Sequence, residues 1–391
     1  MKKLLKIALV AVLALSLFAC SSNETATVET TEEEEWPSEI VIGCIQDLSG
    51  ATQSLGNSVM QGVKDAVAEI NANGGINGAT IVLKEYDTAA DVTEAVNAYT
   101  TATDVDECDL LIGPPIANIV NGLKSFTDDG GVPFITFAVD PKCYTDDSGN
   151  LYKYLSCVQP STTVQGSIMA KFALENGYEN FGVFYTEDNS YSVALLDPFV
   201  ETIKANGGTV EDANIIAYNS SETDVKTLIE PLVKAGVDAI YCPNYTQPLI
   251  KIETAVKELG YEGYIINGLD AAPNFNDLCE AVDDLSNVYY INNIDIYDET
   301  VAAMAAKVSV GAINKYFLGY DAVMLAKKCI EEVGLDADTL AEAIVNVKGF
   351  EGLTGTFNMD PATHMPAEDT PMFMYTYEGK TPVMLKKFSY K

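Results

Sequence analysis

The sequence predicts an α/β protein of two similar, doubly wound parallel-sheet lobes joined by several hinge crossings, with a ligand cleft between them. The first observation is a repeat. Residues 40–118 run strand (IVIGCIQ), helix (VMQGVKDAVAEI), the turn NANGG, strand (TIVLKEYD), helix, and a strand ending DLLIGPPIAN. From Phe181 the order returns as strand (FGVFYTED), helix (LLDPFVETI), the turn KANGG, strand (NIIAYNSS), helix (TLIEPLVKAG), and a strand ending DAIYCPNYTQ. Strands alternating with helices imply a parallel sheet with helical crossovers, and two copies imply two lobes. The second observation is size: 391 residues, 48% of them apolar, can fill more than one core.

Ligands in such sheets sit beyond the carboxyl ends of the strands. The repeat therefore places four loops at the cleft, 47–56 and 114–118 in lobe one and 187–192 and 244–247 in lobe two. About 120 residues follow residue 270. They read as a strand (NVYYINNI), the helix YFLGYDAVMLAKKCIEEVG, the helix ADTLAEAIVNV and the segment EGLTGTFNMD. PMFMYTYEG and TPVMLKKFSY alternate around a glycine-containing turn and predict a β-hairpin. This tail is too short for a third lobe and has to complete the first two. The expected division is 38–158 plus 294–354 for lobe one and 159–293 plus 355–391 for lobe two.

Residues 1–19 have a lysine-rich start (Lys2, Lys3, Lys6), an apolar run and a small residue before Cys20. This is the pattern of a secretory signal, with a run too short for a membrane span. Its ending, LFAC, resembles the lipobox of bacterial lipoproteins, which implies a lipidated Cys20 as the new N-terminus. Residues 20–37 are polar and acidic without apolar periodicity, as expected of a flexible tether. The mature chain is expected on the outer face of the cell membrane, held by lipid.

The formal charge is −34, and all 23 basic residues are lysine. Such a surface repels phosphate backbones, so nucleic acid is excluded as a partner. Without arginine, a ligand carboxylate has to be met by backbone amides, hydroxyls or lysine. Seven cysteines follow Cys20, an odd number. Cys143 and Cys157, fourteen residues apart across the turn-rich YTDDSGN, are the one pair proposed as a disulfide. The other five sit in or beside apolar patterns, as small buried hydrophobes do.

Several stretches together carry a family resemblance. They are IVIGCIQDLSGATQSLGNSVMQGVKDAVAEINANGGINGATIVLKEYD, LLIGPPIAN, VPFITFAVDP, FGVFYTEDNSYS, INGLDAAPNF, LGYDAVMLAKKCIEEVG and FEGLTGTFNMDP. They span about residues 39–361, and the opening block is the most specific. The sequence resembles extracellular solute-binding proteins of the leucine/isoleucine/valine-binding type from amino-acid ABC importers. One departure is ETVAAMAAKVSVGAINKYF, shorter than usual before LGYDA.

The resemblance implies a solute ammonium held by an acidic residue and aromatic rings of lobe two, and a solute carboxylate held by hydroxyls and amides of lobe one. Asp270 matches the acidic residue, Tyr191 the tyrosine after the first lobe-two strand, and Tyr245 the one after the strand ending DAIYC. The alternatives are a lobe–lobe contact or core packing for each tyrosine and a helix N-cap for Asp270. Lobe one departs from the pattern. Ala117, beside Asn118, stands where relatives place a serine. The loop 136–140 offers Ala138, Val139 and Asp140 where a second hydroxyl is usual, and Leu55 replaces a common aromatic. Thr136 would restore one hydroxyl if the alignment slipped by a residue. The expected solute is a small amino-acid-like or amine-bearing molecule, and the altered lobe-one half points, as a secondary expectation, to an amine or a carboxylate-masked relative in place of a standard branched-chain amino acid.

An enzyme is not expected. The single histidine, His364, lies in the late segment PATHMPAE, and GxSxG, HExxH and GxxxxGK[ST] are all missing. An amidase-type site would require an Asp270–His364 pair. No cofactor or metal is expected. The expected partners are a small-molecule solute (amino acid or amine), an ABC permease and the membrane through the lipid anchor, with the chain as a monomer. The alternative function is ligand sensing by a lipoprotein of the same fold.

Overall fold

Polar caps and left-handed glycines cut the chain where the alternation predicts. Asp91, Ser161, Asn189, Asp224 and Asp336 each accept hydrogen bonds from first-turn amides, and Gly131 and Gly236 close helices in the αL conformation. The computed structural model describes residues 36–269 and 275–388. The signal segment, Cys20, nearly all of the tether, and Asp270 lie outside the described residues.

The first lobe is built from β1 (Glu39–Gln46), α1 (Gln53–Ala72), β2 (Thr80–Asp87), α2 (Val92–Thr100), β3 (Leu110–Ile112), α3 (Ala117–Gly130), β4 (Phe134–Thr136) and β5 (Leu155–Cys157). Its five strands are parallel in the order β2-β1-β3-β4-β5. The second follows with α4 (Thr162–Glu175), β6 (Asn180–Thr186), α5 (Ser190–Ala205), β7 (Thr209–Tyr218), α6 (Val225–Ala235), β8 (Ala239–Tyr241), α7 (Thr246–Glu258), β9 (Tyr264–Ile266), α8 (Phe275–Leu278) and β10 (Val288–Asn292). Here the parallel order is β7-β6-β8-β9-β10. The order reverses at β1/β3 in one sheet and at β6/β8 in the other. The loops after these four strands are the four that the repeat places at the cleft, because a switch point splays its two connections apart and opens a crevice.

The tail runs through α9 (Glu299–Ala305), α10 (Ile313–Val333), α11 (Ala337–Asn346), β11 (Phe350–Gly352), β12 (Gly355–Phe357), β13 (Met359–Asp360), β14 (Met365–Pro366), β15 (Met372–Glu378) and β16 (Thr381–Phe388). The predicted hairpin is β15–β16, which extends the second sheet antiparallel to β10. α10 returns to the first lobe and packs along α1. The two helices meet backbone to backbone through a glycine on each. A Cβ on Gly62 would lie 1.9 Å from the Tyr316 carbonyl oxygen, and one on Gly319 would lie 2.3 Å from that of Val59. Tyr316 and Tyr320 of α10 then donate to Asp65 and Glu69 of α1.

The chain differs from expectation in two places. Residues 355–366, assigned to the second lobe from sequence, are held to the first: the Cys157 amide donates to the His364 carbonyl, and His364 Nδ1 lies 2.9 Å from the Leu155 carbonyl oxygen. The proposed disulfide is not formed either. Cys143 and Cys157 are both free and buried in the first-lobe core, where burial pushes each thiol upward in pKa, Cys157 to about 11. Cys143 donates weakly to the Ala117 carbonyl, and Cys157 accepts from the Gln159 amide. No helix among the described residues is long and apolar enough to cross a membrane.

Candidate functional site

The first-lobe side of the cleft begins with Asp47, fully buried at the end of β1. Its carboxylate accepts from the amides of Gly50 and Thr52 and from the Thr52 hydroxyl, each at 2.6 Å. That fixes the loop into α1 and sets Leu55, half-buried, against the first-lobe core. After β3, Ile116 starts α3 without a side-chain cap. The amides of Ala117 and Asn118 therefore belong to the helix turn that has no intrahelical acceptor. Ala117 is buried in the first-lobe core.

The loop after β4 is more tightly committed than the sequence suggests. The Thr136 hydroxyl is 2.6 Å from the phenolic oxygen of fully buried Tyr144 and 3.1 Å from the Ser156 carbonyl oxygen. Tyr144 also donates to the Ala138 carbonyl, and the Val139 carbonyl accepts from the Thr162 amide at 2.8 Å. Thr136 is thus an internal brace and not a solute anchor. Asp140 is 4% exposed and caps the short 3-10 turn Pro141–Cys143 through the Lys142 amide. Burial raises its carboxyl above the ordinary aspartate value, against the pull of that amide and of the nearby Lys142 and Lys124 charges.

On the second lobe the two predicted tyrosines come together. The rings of Tyr191 and Tyr245 are stacked with centroids 5.4 Å apart. Tyr191 is 2% exposed, and its hydroxyl accepts from the Leu269 amide at 3.0 Å, one residue before Asp270. Tyr245 stands at the N-cap position of α7 and packs against the cores of both lobes, so the lobe–lobe contact that sequence allows for it is present.

Sequence reasoning missed a set of buried amide side chains at strand ends of both lobes. The Thr186 hydroxyl donates to Asn244 Oδ1, while Asn267 Oδ1 accepts from the amides of Asn244 and Gly268. Gln46 and Gln159 donate to the carbonyls of Gly113 and Phe137. Asn244 Nδ2, Asn267 Nδ2, Gln46 Oε1 and Gln159 Oε1 are buried with no hydrogen-bond partner among the described residues. The available signal was an amide side chain ending an apolar strand, a costly place for one unless it has a polar task.

Asn118 belongs to a different contact. Its side chain accepts from the Ser190 amide at 3.0 Å and donates to the Asp188 carbonyl at 3.3 Å, both on the second lobe. Beside it a 580 Å³ cavity opens between the lobes, lined by residues that include Lys124, Asp140, Asp147, Glu187 and Asp188. Among the described residues no group of three or more His, Cys, Asp or Glu side chains is placed to hold a metal ion. His364 is buried and pinned to β5 through the Leu155 carbonyl.

Two parallel-sheet lobes with facing switch points and an aromatic pair between them define a protein that binds a small molecule by enclosing it. Residues 39–381 match the periplasmic binding protein family, and the chain belongs to that family. It is similar to the Leu/Ile/Val-binding protein BraC3 of Rhizobium johnstonii, at 26% identity over 79% of this chain and 84% of that protein. The fold is that of the leucine binding protein LivK from Thermotoga maritima, with a TM-score of 0.78 and 24% identity over 90% of this chain and 99% of the other. It also matches the branched-chain amino acid transporter substrate binding protein LivJ from Streptococcus pneumoniae, solved in complex with isoleucine. That TM-score is 0.75, at 22% identity over 89% of this chain and 100% of the other.

Proposed function

We propose that this chain is the membrane-anchored, extracellular solute-capturing component of an ABC importer, lipidated at Cys20, and that its solute is a small amine-bearing molecule. Membership of the family supports capture by lobe closure, and the names of its relatives support amino-acid-like solutes. One observation carries the finer reading. In the proposed site the cation-facing half rests on Tyr191, which stacks on Tyr245 and accepts from the amide preceding Asp270. Its carboxylate-facing half has no spare hydroxyl, because Ala117 and Val139 have none and Thr136 is bonded to Tyr144. Backbone amides of α3 and the loop after β4 are the donors left for an anionic end. A buried cation is stabilised by a carboxylate and ring faces, so Asp270 with the tyrosine pair suits an ammonium group.

The test is a thermal-shift screen followed by calorimetry on the purified protein, with amino acids, polyamines, quaternary ammonium compounds and short peptides. A solute present at a hundred times its Kd stabilises by about 2.7 kcal/mol. Hits among amines, lost in Asp270→Ala, are the expected result. Tight binding of leucine, isoleucine or valine would overturn the amine-selective reading while leaving capture itself in place.

A further inference from the structure

We infer that Asn118 is a positioning residue that latches the two lobes directly, lobe to lobe, so that cleft closure does not depend on the solute alone. Asn118 sits in the first turn of α3 and is exposed, yet its amide side chain makes a two-point contact with the other lobe. The Oδ1 atom accepts from the Ser190 amide at 3.0 Å, and Nδ2 donates to the Asp188 carbonyl at 3.3 Å. Ser190 is the first residue of α5, whose own cap, Asn189, serves the Tyr191 amide. The Ser190 N–H is therefore one of the helix-start donors without an intrahelical acceptor. Asn118 supplies that acceptor from across the cleft. Asp188, on the other side of the contact, is itself fixed, its carboxylate holding the amide and hydroxyl of Ser220. A side chain that can donate and accept at once is what this pair of backbone groups requires.

The inference rests on reading the space between the lobes as the solute cleft, but its consequence concerns the protein without solute. Two hydrogen bonds made only in the closed form raise the closed-to-open ratio, and apparent affinity scales with the closed fraction. Loss of the latch is expected to lower that ratio about tenfold, which corresponds to ~1.4 kcal/mol.

The measurement is a double electron–electron resonance distance between nitroxides on Ser148→Cys and Glu222→Cys, both exposed, on the full chain with Cys20→Ser and without solute. The described native thiols are all buried and leave the label to the introduced ones. Asn118→Ala should transfer population from the short to the long distance. Ser190→Pro deletes the donor amide while keeping helix-start geometry, since proline is accepted at the first helical position. It should do the same, and the double variant should add little beyond either single change. Unchanged distance distributions in both single variants, with thermal melting unaltered, would overturn the latch. Since no solute is used, that result is separable from any failure of the amine reading.

Discussion

The rings of Tyr191 and Tyr245 lie within 11° of parallel, and the hydroxyl of the first is spent on the Leu269 amide. The pair is thus a stacked unit fixed to the backbone at Leu269. Tyr191→Phe leaves the Leu269 N–H without that partner, and an unsatisfied buried donor costs about 1–3 kcal/mol. Urea unfolding should show a loss in that range. Tyr245→Ala, at a half-buried position, should instead lower the affinity for the solute returned by the screen by tenfold or more, measured by calorimetry. Comparable losses of stability and affinity in both variants would contradict the division of labour.

The bond between Thr136 and Tyr144 makes Thr136→Val a discriminating change. It should cost about 1–2 kcal/mol in denaturant unfolding, through loss of the hydroxyl bond to a fully buried tyrosine that keeps only its bond to the Ala138 carbonyl. Solute affinity should stay within twofold. A large drop in affinity would return Thr136 to the solute site.

Restoring the missing hydroxyls gives the converse. Ala117→Ser with Val139→Thr places two donors beside the helix-start amides of α3. A hydrogen bond to a charged group contributes about 1.5–3 kcal/mol. Affinity for L-leucine or L-isoleucine should rise at least tenfold by calorimetry, and no gain would mean that the altered loop is not what excludes an α-carboxylate.

Asp321 of α10 is buried, and burial pushes its carboxyl up to about 6 even though it accepts from the amides of Leu353 and Thr354 and from the Thr354 hydroxyl. A folded-state pKa above the unfolded value of 3.8 means that the native protein binds this proton more tightly. The stabilisation is complete below the unfolded value and is lost as pH rises through about 6. The shift corresponds to about 3 kcal/mol. Asp321→Asn cannot accept from all three donors and should be less stable throughout. Its deficit should shrink by roughly that amount between pH 4 and 7, followed by urea titration at each pH. A constant deficit would mean that Asp321 does not titrate in this window.

The α1–α10 contact tolerates no side chain at its crossing. Gly319→Ala drives a Cβ to 2.3 Å from the Val59 carbonyl oxygen, where backbone and not a flexible side chain has to yield. Overpacking of this kind costs about 1–3 kcal/mol or more. The fall in Tm should exceed that of Glu332→Ala, an exposed position on the same helix.

Much of this architecture was legible from the sequence, because period and order are local properties. The repeat gave both sheets and the four loops at the switch points, alternation around a glycine-containing turn gave the terminal hairpin, and the turn chemistry of NANGG and KANGG marked the helix ends. What escaped was side-chain pairing between distant or loop residues. Thr136 reads as a free hydroxyl until Tyr144 folds back onto it. Asn118 reads as a solute contact until the second lobe arrives beside it. Residues 355–366 read as part of the second lobe because the hairpin that follows belongs there, and only the bonds of His364 to β5 reveal the detour. Cys143 and Cys157 have a plausible separation, but separation says nothing of the core into which each thiol is packed.

The chain passes between the lobes three times, after β5, between β10 and α10, and between β14 and β15. A single connection would act as a swivel and leave the halves free to tumble about one another. Three separate connections act as a door on three pins, leaving bending about one line as the soft movement. The halves then have little orientational disorder to surrender when they meet, so less of the affinity for a small solute is consumed in ordering the protein around it.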